Sequence, residues 1–79
     1  MDPKERRQAL LVWLEELEAN PEKGAAKARE FLDLAGDLYD EGHLDGEQYS
    51  AVYDLGRSLK EPGFPETVEL ARRCRSMIA

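Results

Sequence analysis

An all-α fold, a small single-domain bundle of four short helices, is predicted by three observations on this sequence. Apolar residues recur at helical rather than strand spacing in four successive stretches. Each stretch opens on a proline, a capping residue or both. The chain has 79 residues and a mass of 9.0 kDa, with 42% apolar and 35% charged residues, which is enough hydrophobic material for one core and too little for two. One cysteine cannot close an intramolecular disulfide, and with one histidine it cannot complete a zinc site, so the expected core over residues 1–79 holds without a staple.

The first helix is expected over residues 3–19. Asp2, Pro3 and Glu5 read as N-cap, N1 and N3, with the proline where its missing N–H costs nothing. Leu10, Trp13, Leu14 and Leu17 share a face, and Val12 points away from it. Asn20 before Pro21 stops this helix and starts the next, because the residue ahead of a proline is pushed out of the α region while Pro21 is preset for N1. The second helix is expected over residues 21–41 as the central one, with Phe31, Leu34 and Leu38 inward and a neighbour approaching closely at Gly36. Gly42 fits the left-handed position after it. Asp45 and Gln48 form a capping box, and Leu44 with Tyr49 a hydrophobic staple, so the third helix is expected over residues 46–60, burying Tyr49, Val52, Tyr53, Gly56 and Leu59 with Leu55 at the margin. Glu61 to Pro65 is a stop-and-turn cluster. The last helix, over residues 65–78, places Val68, Ala71 and Ile78 on one side and Leu70, Cys74 and Met77 on a second apolar seam.

Charge is unevenly placed. Residues 1–29 carry six acids and six bases, residues 30–54 eight acids and no base, and residues 55–79 three acids and five bases, for a net charge of −6. A basic stripe able to track a phosphate backbone is absent, which argues against direct nucleic-acid binding, and an anionic membrane would repel the middle third. The longest apolar run, Ala9–Leu14, has six residues, far short of the roughly 20 a membrane-spanning helix needs. The lone Cys74 and the lack of a signal-peptide pattern after Lys4, Arg6 and Arg7 predict a cytoplasmic location.

Motifs for catalysis are weak. Aligning Gly42 with the glycine of an EF-hand loop puts Asp37, Glu41 and Asp45 at ligand positions, but Tyr39 and Gln48 occupy two others, so no metal and no cofactor is expected. Over the same stretch Gly42, Leu44, Asp45 and the acidic and aromatic pair Glu47 and Tyr49 resemble the turn of short SHOCT-type modules, which implies a helix–turn–helix here and carries no function over. His43 has acids beside it and could act as a charge switch, yet a histidine just past a helix C-terminus meets a favourable dipole in any case. Cys74 lies between two apolar seams, a place for core filling or an interface rather than a nucleophile.

Two features exceed what a helical bundle needs. Glu30, Asp33, Asp37, Asp40 and Glu41 line one helix face, followed in sequence by Asp45 and Glu47, so like charges crowd a helix C-terminus against its macrodipole. Leu70, Cys74 and Met77 form a seam that either completes the core or contacts a second copy. The expected function is therefore non-catalytic: an acidic module docking on a basic protein surface through these seven carboxylates, with Trp13, Tyr39, Tyr49 and Tyr53 as aromatic anchors where exposed. Inhibitors, antitoxins, immunity proteins and phage-encoded anti-host factors belong to this physical class, and nucleic-acid mimicry is its sharpest form. The alternative is a structural or homo-oligomeric protein using the Leu70, Cys74 and Met77 seam.

Overall fold

The computed structural model describes residues 2–79, all of whose regular structure is helical. Five helices run in order: α1 (Pro3–Ala19), α2 (Pro21–Ala25), α3 (Ala28–Asp40), α4 (Gly46–Ser58) and α5 (Thr67–Ile78). They close a ring in which α1 packs on α5 and α3, α4 packs on α3 and α5, and the short α2 lies against α1. The hub is α1, not the second helix, because α1 alone buries a full stripe of large side chains, Leu10, Trp13, Leu14 and Leu17, each at most 1% exposed. Each such side chain is worth about 1.5–3 kcal/mol of transfer free energy.

The expected 21–41 helix is broken. Asn20 caps the single turn α2 through Lys23 N–H at 3.2 Å, and Trp13 explains why the turn does not continue straight. The Trp13 indole donates to the Gly24 carbonyl at 2.9 Å in a buried bond, and Lys27 N–H bonds the same oxygen at 3.0 Å in a tight three-residue turn. Such a bond tightens the last turn of a helix and re-aims the chain beyond it. A Cβ on Gly24 would stand 2.5 Å from Leu17 Cδ2 and 3.3 Å from Leu17 Cα, so only glycine lets α2 lie this close to α1. With α3 re-aimed, Phe31 stacks on Trp13 at 5.3 Å between centroids and 7° between planes.

The turn from α3 to α4 forms as its residues dictate. His43 N–H bonds Leu38 O at 2.8 Å and Gly42 N–H bonds Tyr39 O at 3.0 Å, with Gly42 at φ +83°, which is a Schellman ending. Asp45 and Gln48 exchange their capping-box bonds at 2.8 and 2.9 Å, and Gln48 also donates to Met77 O at 2.9 Å, tying the start of α4 to the end of α5. The face of α4 is turned from the expected one: Ala51, Leu55 and Ser58 are buried with Val52 and Gly56, while Tyr53 is 59% exposed. Packing on two neighbours, α3 and α5, widens the buried face toward Leu55.

At the far end α4 stops at Ser58 and α5 starts at Thr67, two residues inside the expected limits on each side. Ser58 Oγ donates to Leu55 O at 2.6 Å and meets Thr67 Oγ1 at 3.1 Å, a buried hydroxyl pair that latches the two helices across the Glu61–Pro65 turn. In α5 the inward face is Thr67, Ala71, Cys74 and Ile78, so the two expected apolar sides merge. Cys74 is 1% exposed, Leu70 and Met77 pack against the core at its edge, and Val68 stands half-buried outside it.

Candidate docking surface

All seven acids expected to bind a partner are exposed: Glu30, Asp33, Asp37, Asp40 and Glu41 on or just after α3, Asp45 at the α4 cap, and Glu47 in its first turn. They are not one uniform stripe. Helical spacing places Asp33 and Asp40 with Gly36 along the edge of α3 that adjoins α4. Asp37 and Glu41 turn to the other edge, toward α1, where Arg6 takes Glu41 in a two-pronged grip at 2.7 and 2.6 Å. These hydrogen bonds hold the Glu41 carboxyl below the usual glutamate range against the opposing effect of desolvation, and they raise Arg6, which also feels the charge of Asp37. Glu41 is therefore paired within the fold, with its side chain still 46% exposed. Among the described residues the other six make no ion pair. Arg6 comes from a distant part of the sequence, and no local spacing could have paired it with Glu41. Its Nε is buried without a hydrogen-bond partner, so the grip is incompletely satisfied.

Between α3 and α4 runs a shallow trench of about 220 Å³. Leu32, Val52 and Gly56 form its floor, Asp33 and Tyr53 stand on opposite walls, and Arg57 and Lys60 close one end. A Cβ on Gly56 would meet the Leu32 methyls at 3.0 Å, so the close approach of the two helices happens here. At Gly36, where it was expected, a Cβ would find only the Tyr49 hydroxyl at 3.7 Å, an ordinary contact. Gly36 itself is half-buried beside Tyr49 and does not line the trench. Beyond it Tyr39 stacks on Tyr49 at 4.7 Å and 9°, with Tyr39 43% exposed. Sequence reading missed the trench because its floor and rim residues lie on two helices whose register only the tertiary packing sets.

The remaining candidates sort by burial. Trp13 is in the core and supplies no exposed anchor, whereas Tyr39 and Tyr53 do. Burial pushes the Cys74 thiol up to about 11, so it is neither accessible nor a thiolate near neutral pH. His43, whose N–H closes the Schellman turn, is exposed. Among the described residues no three His, Cys, Asp or Glu side chains gather as metal ligands, and no helix is long and apolar enough to cross a membrane. Compared with protein-family models, curated proteins and solved structures, the chain matches none.

Proposed function

We propose that this chain is a non-catalytic interaction module that docks on a basic protein surface and thereby inhibits or regulates its partner. One observation carries the reading. Glu30, Asp33, Asp37, Asp40, Asp45 and Glu47 are exposed and, among the described residues, make no ion pair, in a chain whose α5 bases neutralise the carboxylates of α1 instead. Like charges spaced three and four apart on one helix repel, and those near the α3 C-terminus oppose its macrodipole, so this arrangement lowers the stability of the free chain. A basic partner relieves both effects on binding, and the negative field speeds its encounter. Tyr39 and Tyr53 add amphipathic contact area beside the acids.

The test is parallel capture on immobilised parent and immobilised Asp33→Asn/Asp37→Asn/Asp40→Asn variant, with retained proteins quantified by mass spectrometry at low and high salt. The reading expects a protein held by the parent, released by salt and depleted on the variant. Equal retention on both surfaces, or no salt-sensitive protein at all, counts against it. The seam of Leu70, Cys74 and Met77 supports no separate reading, because Cys74 is spent on the chain's own core and its neighbours pack at that core's edge.

A further inference from the structure

The charges that flank α3 oppose its dipole at both ends. Lys27 stands at the N-terminal boundary, where the positive pole repels a cation, and Glu41 at the C-terminal boundary, where the negative pole repels an anion. Both are answered from α1. Lys27 Nζ donates to the two Glu16 oxygens at 3.4 and 3.2 Å, and Arg6 donates to the two Glu41 oxygens at 2.7 and 2.6 Å. In each pair the α1 member is the more covered one, Glu16 being 23% and Arg6 17% exposed against 49% for Lys27 and 46% for Glu41. Among the described residues no ion pair joins α3 or its boundary residues to α4 or α5.

Between those ends α3 is the least buried of the long helices. Only Ala35 and Leu38 are fully covered, whereas α1 and α5 bury four residues each and α4 five. Phe31, Leu32 and Leu34 are covered in part. No side chain caps the first turn, and Asp33, Asp37 and Asp40 repel one another along the helix. The side-chain bonds that join the other three long helices involve no residue of α3. They run from Gln48 to Met77 O at 2.9 Å, between Ser58 and Thr67 at 3.1 Å, and from Arg75 to Glu18 at 3.1 Å. On either side of α3 the chain turns, through the Lys27 bond to Gly24 O before it and through Gly42 after it.

From the two end pairs and the thin burial between them we infer that α3 is a hinged flap, latched onto α1 by Arg6–Glu41 and Glu16–Lys27, which opens about its flanking turns while α1, α4 and α5 stay assembled. Segments with few buried apolar contacts are the ones that open locally. A helix of 13 residues is marginal in water on its own, so α3 frays once it leaves α1. Opening parts Phe31 from Trp13 and takes Glu30, Asp33, Asp37 and Asp40 off the body of the fold. Through Arg6 and Glu16, α1 thereby controls how firmly these acids are presented. The inference concerns the free chain and goes beyond the docking reading, since it holds whether or not the acids meet a partner.

Amide hydrogen exchange on the full chain, labelled with nitrogen-15, tests the flap under conditions where exchange follows the opening equilibrium. In the parent, Leu34, Ala35, Leu38 and Tyr39 should share one level of protection, about tenfold or more below that of Leu55, Ala71 and Cys74. Two substitutions separate flap opening from global unfolding. Glu41→Gln breaks a pair that is lost both in the open flap and in the unfolded chain, so it should speed both sets of amides by the same factor, about threefold. Lys27→Gln should act in the same direction and more weakly, its pair being longer. Glu18→Gln breaks a pair that the open flap keeps and only the unfolded chain loses, so it should speed Leu55, Ala71 and Cys74 and leave the α3 set unchanged. Equal protection of the two sets in the parent, or acceleration of the α3 set by Glu18→Gln, would mean that α3 opens only with the whole fold and would overturn the flap. An α3 set that neither Glu41→Gln nor Lys27→Gln accelerates would overturn the latch.

Discussion

The α1/α5 seam and the α3/α4 pair are built from similar helices and solve their charge problem in opposite ways. Where α1 meets α5, Glu18 is mostly covered and is gripped by Arg75, with a bond of 3.1 Å from Nη2 to Oε1, while Arg72 approaches at 3.5 Å. Glu15 also lies within 3.9 Å of Arg75. The carboxylates of one helix are answered by the cations of the other, over a core that includes Leu10, Leu14, Ala71, Cys74 and Ile78. Where α3 meets α4, no ion pair crosses among the described residues, and the helices are held by a tyrosine stack and the Leu32 contact on Gly56. The chain has bases enough to balance more of its acids and places them elsewhere. A fold selected for stability alone has no use for that segregation, which is why the α3/α4 side is the place to seek a partner.

Substitutions can break this contrast, and the largest effects are expected on the α1 side. Leu14→Ala should cost about 2–5 kcal/mol in urea denaturation, since Leu14 is fully buried at the hub. Gly24→Ala should cost about 1–3 kcal/mol by overpacking Leu17 and should disturb the Trp13 bond, which near-ultraviolet circular dichroism would report. A cost below about 0.5 kcal/mol for Gly24→Ala would mean that α2 is not pinned to α1 as described.

A pH titration separates the two regions next. The Glu18 carboxyl is held below its ordinary value of 4.5 chiefly by hydrogen bonding from Arg75, with desolvation opposing and the charges of Arg75 and Arg72 assisting. A lowered folded-state pKa contributes stability that is complete above the unfolded value and is lost as pH falls through the folded one. Parent stability should therefore drop on acidification below about pH 4.5, and Glu18→Gln should flatten that drop. On the alkaline side Cys74 acts with the opposite sign. Its thiol, raised from 9.0 to about 11 by burial, favours the folded state below pH 9, and that contribution declines as pH rises toward 11. Cys74→Ser, which does not titrate there, should lose this slope in melting measurements.

Smaller effects are expected on the α3/α4 side, and they should carry the unusual sign. Gly36→Ala should stabilise by about 0.4–1 kcal/mol, because the added methyl has room and the unfolded chain loses freedom. Asp33→Asn with Asp40→Asn should raise the melting temperature slightly, by a few tenths of a kcal/mol in stability, as two unpaired acids leave a crowded helix face. Asp37→Asn should gain less, since Asp37 already faces the charge of Arg6. Destabilisation by Gly36→Ala would show a packing role at that glycine.

Much of the fold was legible because its signals are local. Asp2–Pro3, Asn20–Pro21 and the Gly42–Gln48 turn each specify a helix boundary from residues close together in the chain, and each boundary forms as read. The features that were not legible depend on pairs far apart in sequence. The break after α2 comes from Trp13 reaching Gly24, the pairing of Glu41 from Arg6, and the latch at the end of α4 from Ser58 meeting Thr67. The acids of the candidate surface could be read from composition and spacing. Their division into an edge facing α4 and an edge facing α1, and the trench itself, arise only from where α1 and α4 lie beside α3.

The central claim, that the acids facing α4 and solvent are a docking surface for a basic partner, is tested most directly by one kinetic measurement. The association rate of the protein captured on the parent is measured over a series of ionic strengths, for the parent and for Asp33→Asn/Asp37→Asn/Asp40→Asn. Electrostatic steering predicts a rate that falls steeply with salt for the parent, and a slower, flatter dependence for the variant that converges on the parent at high salt. Superimposable curves for the two proteins would contradict the account and leave the acids an ordinary solvated face.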